Sequence, residues 1–214
     1  MIKNIIFDFD GVIIDSLPIK EFGFREIFKK YNINLVDKLI AYHDLNGGLS
    51  RFVKIRYFYN QLLGLQIDEK IVTRYSDEFS VLMKSRLCFK NILIKESVDF
   101  IKSHYKKISM SIASGTEEKE LQYISEKLEL DSYFNSICGS PKTKNDVVLE
   151  LLNKYNYKKE ETILIGDSIN DYDAANINGI RFFGYNNTKL KDISCYYIND
   201  FIEFEKEFFD EDRW

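Results

Sequence analysis

Five short β-rich runs, most of them separated by stretches of helical periodicity, leave this chain very few folds. The runs are NIIFDFD (4–10), KISMSIAS (107–114), FNSICGS (134–140), TILIGD (162–167) and IRFFGY (180–185). Helical spacing fills gaps between the last four, with Leu121, Ile124 and Leu128 in one stretch and Val147, Val148, Leu151, Leu152 and Tyr155 in another. Val98, Ile101 and Tyr105 mark a further helix leading into the second run. Strand alternating with helix reads as an α/β protein built on a doubly wound parallel sheet.

Residues 16–87 break the alternation, since no convincing strand occurs there. Four apolar faces at helical spacing follow one another: Phe24, Ile27, Phe28 and Tyr31; Val36, Leu39, Ile40 and His43; Phe52, Ile55, Tyr59, Leu62 and Leu63; Ile71, Val72, Tyr75, Phe79 and Leu82. The simplest account is an all-helical domain, 16–87, inserted after the first strand of an α/β core made of 1–15 and 88–214. The chain leaves that strand from its carboxyl end, so the insertion is expected over the end where open α/β sheets bind ligands. DFIEFEKEFF (200–209) reads as one last amphipathic helix.

That ligand is expected to be a small molecule. The net charge of −4 denies the basic footprint that nucleic acid or an anionic membrane surface requires. Cys88, Cys138 and Cys195 are odd in number and far apart, which fits reduced thiols in a cytoplasmic protein. No basic region followed by a long apolar segment opens the sequence, and no stretch has the length of a membrane span. A monomer or weak homodimer is expected.

Acids stand where the strands end. Asp8 and Asp10 lie two apart at the end of the first run and therefore address the same side. In ILIGDSINDYDAA (163–175) another apolar strand ends in Asp167, and Asp171 follows one helical turn later. Two like charges about 4 Å apart repel by roughly 4 kcal/mol at an effective dielectric near 20. Four such acids need cations, and a hard all-oxygen site suits Mg²⁺. Asp15, Asp146 and Asp173, taken singly, read as turn or helix caps.

With these residues in hand, the sequence resembles the haloacid dehalogenase-like hydrolase superfamily, in its phosphoglycolate phosphatase and β-phosphoglucomutase branch. Four segments carry the resemblance in order: DFDGVIIDS, SIASGT, a lysine within GSPKTKND, and GDSINDYDAA. It covers essentially the whole chain and implies a Rossmann-like core with a helical cap. It also implies that Asp8 is a nucleophile forming an aspartyl-phosphate and that Asp10 is the general acid and then base. Asp8, the Asp10 carbonyl, Asp167 and Asp171 would hold Mg²⁺. Gly11, Ser114 and Gly115 would surround the phosphoryl group, with Ser114 also able to cap the helix that follows.

The lysine is expected at Lys142 from its spacing to Asp146, with Lys144 as runner-up, because both prolines of the family's K-P-x-P-(D/E) pattern are missing. GGLSR (47–51) resembles the cap loop that reaches the substrate, where Arg51 can fork onto a phosphate or carboxylate. Neither His43 nor His104 has a metal-spaced partner. The leading expectation is a Mg²⁺-dependent phosphatase acting on a small phosphorylated metabolite such as a sugar phosphate or phosphoglycolate. A phosphosugar mutase is the alternative, and a non-catalytic binding module on the same scaffold stands behind it. In the mutases that the chain resembles, a histidine early in the cap couples closure to the acid; here DSLPIK brings Lys20 to that position.

Overall fold

A computed structural model describes residues 1–209. The first strand, β1 (Asn4–Phe7), is buried throughout. Its pleat sends Ile5 and Phe7 into one apolar cluster and Ile6 into another, so both faces are covered. The same alternation splits β2 (Ser109–Glu117), β3 (Ser136–Ser140), β4 (Thr162–Gly166) and β5 (Arg181–Tyr185), whereas β6 (Tyr196–Ile198) adds Tyr196 and Ile198 to the cluster of Phe7 alone. Ile163 and Ile165 side with Phe7, whereas Leu164 sides with Ile6. All pairings are parallel, in the order β3-β2-β1-β4-β5-β6. Five of these strands match the expected runs. The sixth was not anticipated, because three residues are too few to display a period.

Strand order reverses at the β1/β4 boundary: β2 and β3 lie on one side, β5 and β6 on the other. A crevice opens at such a point, outside the carboxyl ends of the strands.

Between β1 and β2 come α1 (Leu17–Ile27), α2 (Ile33–Leu45), α3 (Arg51–Tyr57), α4 (Glu69–Arg86) and α5 (Lys95–His104). Asn32 and Asp68 cap α2 and α4 by accepting from the amides of Asn34 and Lys70. After Tyr57, α3 widens into a π turn over Phe58–Leu62, which brings both Phe58 and Tyr59 inward. Phe58 stacks on Phe28 at 4.1 Å, and the Tyr59 hydroxyl lies 2.5 Å from that of Tyr31. The four expected helical faces thus meet in one aromatic core, with the third face interrupted by the π turn.

The remaining helices are α6 (Glu118–Lys127), α7 (Lys144–Lys154), α8 (Ile169–Asn178) and α9 (Phe201–Phe208). Side chains of α5, α6 and α9 join the cluster beneath Phe7; those of α7 and α8 join the cluster beneath Ile6. Among the described residues, no helix is long and apolar enough to cross a membrane, and the three cysteines are unpaired.

Candidate active site

Two strand ends at the reversal point supply the acids. Asp8 follows β1 directly, and its amide still pairs with the Ile165 carbonyl of β4. Asp167 follows β4. The backbone turns away at Gly11, whose φ of 77° is left-handed. A Cβ at that position would collide with the Asp167 carboxylate, so glycine alone permits the approach. The Gly11 amide donates to the Ile14 carbonyl (2.8 Å), which holds this turn in place.

Asp171 is the third residue of α8 and forms a capping box with Ser168, accepting from its amide (3.0 Å) and hydroxyl (2.7 Å). Oxygens of Asp8, Asp167 and Asp171 all lie within 4.8 Å of one another. Burial, then Asp171, pushes Asp8 up to about 7, against the pull of Lys144. Burial, then Asp8 and Asp171, raises Asp167 well above the carboxylate range. Three oxygen donors left with this excess of negative charge suit a hard divalent cation.

The lysine among these acids is Lys144, not Lys142. Lys144 bridges Asp8 Oδ1 at 2.9 Å and also Asp171. Burial would lower its pKa, but Asp171 and Asp8 hold it above that of an ordinary lysine. Lys142 is exposed and bonds both oxygens of Glu150, at 2.8 and 2.7 Å. The reason is local. Thr143 is the N-cap of α7 and accepts from the Asp146 amide, so the first helical residue, Lys144, turns inward and Lys142 stays outside.

Asp10 sits apart from the three, in a nest of donors. Ser16 donates to Oδ1 at 2.5 Å, and Thr116 and Ser114 donate to Oδ2 at 2.8 and 3.4 Å. Lys20 pairs with Oδ2 at 2.5 Å and donates to Thr116 at 2.8 Å. Burial works against the charge of Asp10. The Lys20 ammonium and the hydrogen bonds nevertheless hold its carboxyl well below the usual range. Ser114 is buried within β2 and accepts from the Thr116 amide (3.1 Å). It does not cap the next helix; Glu117 does, accepting from the Glu120 amide.

Arg51, at the start of α3, reaches an acid instead of an open site. Its Nη1 and Nη2 donate to the two Glu120 oxygens of α6 at 2.7 and 2.5 Å. Nη1 also donates to Ser80 at 2.7 Å, and the guanidinium lies 4.6 Å from the Phe79 ring centre. Both partners are buried, at 3% and 0% side-chain exposure. Nearby, a Cβ on Gly115 would strike the Gly48 carbonyl, so the α2–α3 loop rests directly on the end of β2.

Removing one member of a buried pair strands the other charge. Glu120→Ala is expected to cost about 3–5 kcal/mol, and the double variant Arg51→Met/Glu120→Leu much less. Urea unfolding measures both; a loss below about 1 kcal/mol for the single variant would contradict the tight pairing seen.

Three of these residues carried no recognised signal in the sequence. Thr116 lies two beyond Ser114, the period of a strand face, and that spacing could have marked it. Glu120 finds Arg51, and Lys54 of α3 finds His43 Nδ1 at 2.8 Å, through tertiary contacts that no spacing encodes.

Comparisons with known proteins give the family and the fold. A family model described as haloacid dehalogenase-like hydrolase matches residues 5–185. A phosphorylated carbohydrates phosphatase of Thermotoga maritima is 26% identical over 192 residues, covering 85% of this chain and 84% of its own. A phosphoglycolate phosphatase of Haemophilus influenzae is 21% identical over 197 residues, covering 86% and 87%. In fold, a β-phosphoglucomutase from Clostridium difficile superposes with a TM-score of 0.78 at 17% identity, over 97% of this chain and 95% of that one.

Proposed function

The chain belongs to the haloacid dehalogenase-like hydrolase family, and we propose that within it the protein is a Mg²⁺-dependent phosphatase of a small phosphorylated metabolite, working through an aspartyl-phosphate on Asp8. One observation carries the reading: Asp8, Asp167 and Asp171 converge around the buried Lys144 at the point where strand order reverses.

Asp8, Asp167, Asp171 and the Asp10 carbonyl are the groups that would hold Mg²⁺. When bound, the ion neutralises charge between nucleophile and phosphoryl oxygens. Asp8 attacks phosphorus as a carboxylate. The Phe9 amide (2.7 Å) and Lys144 fix its Oδ1 and so its orientation. Ser114 and the Gly115 amide are the donors proposed for the transferred phosphoryl group. The alcohol leaves with a proton from Asp10, which then takes one from the water that attacks the acyl-phosphate. Helices α1–α4 act as a cap over these groups.

Lys20 favours hydrolysis over transfer to a second sugar phosphate. Once Asp10 has given its proton to the departing alcohol, the Lys20 ammonium stabilises the carboxylate left behind, and that carboxylate is the base for water. A mutase needs that step suppressed until its acceptor returns.

The test is hydrolysis of p-nitrophenyl phosphate followed by a panel of phosphorylated metabolites. Turnover is expected with Mg²⁺ and is expected to fall to background in excess chelator. Undiminished turnover in chelator, or none with Mg²⁺ on any substrate, would overturn the reading.

A further inference from the structure

Four basic side chains, Lys20, Arg51, Lys54 and His43, line the same small cavity as Asp8 and Asp10, which holds only about 20 Å³. Two have acids of their own: Lys20 pairs with Asp10, and the Arg51 fork is filled by Glu120. Lys54 has none. It is 2% exposed, and its ammonium bonds only His43 Nδ1 at 2.8 Å and the Gly47 carbonyl at 3.1 Å. A buried ammonium without a counter-charge is expensive to keep. Burial, followed by repulsion from Lys20, pushes Lys54 down to about 7.

His43 repeats the pattern. Because Lys54 donates to Nδ1, the ring proton belongs on Nε2, and that buried N–H has no partner. The ring is 1% exposed and lies 5.1 Å from that of Phe24, another wall of the cavity. An ammonium with no acid in ion-pair range and a ring N–H with no acceptor thus belong to side chains that line one cavity with Asp8. Both deficits are met by one anionic group arriving with the substrate.

We propose that Lys54 and His43 form a cap-side subsite for a carboxylate on the substrate, which makes the substrate a short phosphorylated carboxylic acid. This rests on the phosphatase reading above and narrows it. The lining sets the reach: Lys54 and His43 share one small cavity with Asp8 and Asp10, so the second group lies within a few bonds of the phosphate ester. A carboxylate matches the single charge of Lys54; a second phosphate brings up to two and is the competing anion that the test separates.

The test compares kcat/KM for 2-phosphoglycolate, ethyl phosphate, phosphoethanolamine and ethylene glycol bisphosphate. The carboxylate should be preferred over the neutral ethyl ester by about 10- to 100-fold, the span of a charge-assisted hydrogen bond, and the cationic ester should be worst. In Lys54→Met the preference should collapse to within about threefold of unity, and Lys54→Arg should recover part of it. Calorimetric binding of the same esters to Asp8→Asn, with and without Lys54→Met, gives the same comparison without turnover. If p-nitrophenyl phosphate is not hydrolysed but the binding preference holds, the phosphatase reading fails and the subsite stands. If hydrolysis occurs with no preference for the carboxylate, the subsite is wrong. A preference for the bisphosphate would overturn the carboxylate assignment, and a preference that survives Lys54→Met would remove Lys54 from it.

Discussion

Asp8→Asn is expected to lower turnover of any phosphate monoester by at least about 10⁴-fold while the fold survives. The amide keeps the shape of the carboxylate and can still take the Phe9 N–H, so β1 and its pairing with β4 need not move. What disappears is the proposed nucleophile and one of three oxygen donors in a cluster only 4.8 Å across. The variant should also be no less stable than the parent. Asp8 is a buried acid beside Asp171, pushed up to about 7, and removing its charge relieves repulsion. Dead enzyme with an unchanged or raised unfolding midpoint is therefore the signature. Residual activity within tenfold of the parent would move the nucleophile elsewhere.

Lys144→Met is the second large effect, with a loss of about 10²–10³-fold in kcat/KM, the scale of deleting one preorganised electrostatic group. Lys144 bridges Asp8 and Asp171 and is one of the forces that pull Asp8 downward. In the proposed mechanism Asp8 acts as the carboxylate, so activity is present above its pKa and lost as pH falls through it. Without Lys144 that pKa rises, and the acid limb of the kcat/KM profile should move to higher pH. Lys142→Met, which breaks only an exposed pair with Glu150, should leave both rate and profile unchanged. The opposite pattern would return the active lysine to Lys142.

That pair of lysines marks where sequence reasoning reached its limit. The acids were legible because an apolar strand that ends in bare carboxylates has few other physical explanations. Asp8 and Asp167 at the ends of β1 and β4, and Asp171 one turn into α8, follow from strand and helix periods alone. The alternation of strands and helices, and the run of helical faces between β1 and β2, were legible from the same periods. Lys142 was preferred because its distance to Asp146 was counted as though the loop kept two prolines. In their absence Thr143 caps α7, and the inward position passes to Lys144. Arg51 was read as a free fork because its partner, Glu120, is 69 residues away. His43 was set aside for want of a metal-spaced neighbour, whereas its neighbour is Lys54 on the next helix. Such pairings depend on how α1–α4 meet the sheet, and no local pattern records that.

The central claim is that the phosphoryl group rests on Asp8 between two half-reactions. It is tested most directly by mixing enzyme, Mg²⁺ and a turned-over phosphate ester, quenching in acid within the first turnover, and locating the added mass by peptide mass spectrometry. The account predicts one phosphoryl group on the peptide that contains Asp8, absent in Asp8→Asn and fading as inorganic phosphate appears. Phosphate released in that first turnover with no phosphorylated protein, or with the group on any other residue, would contradict it.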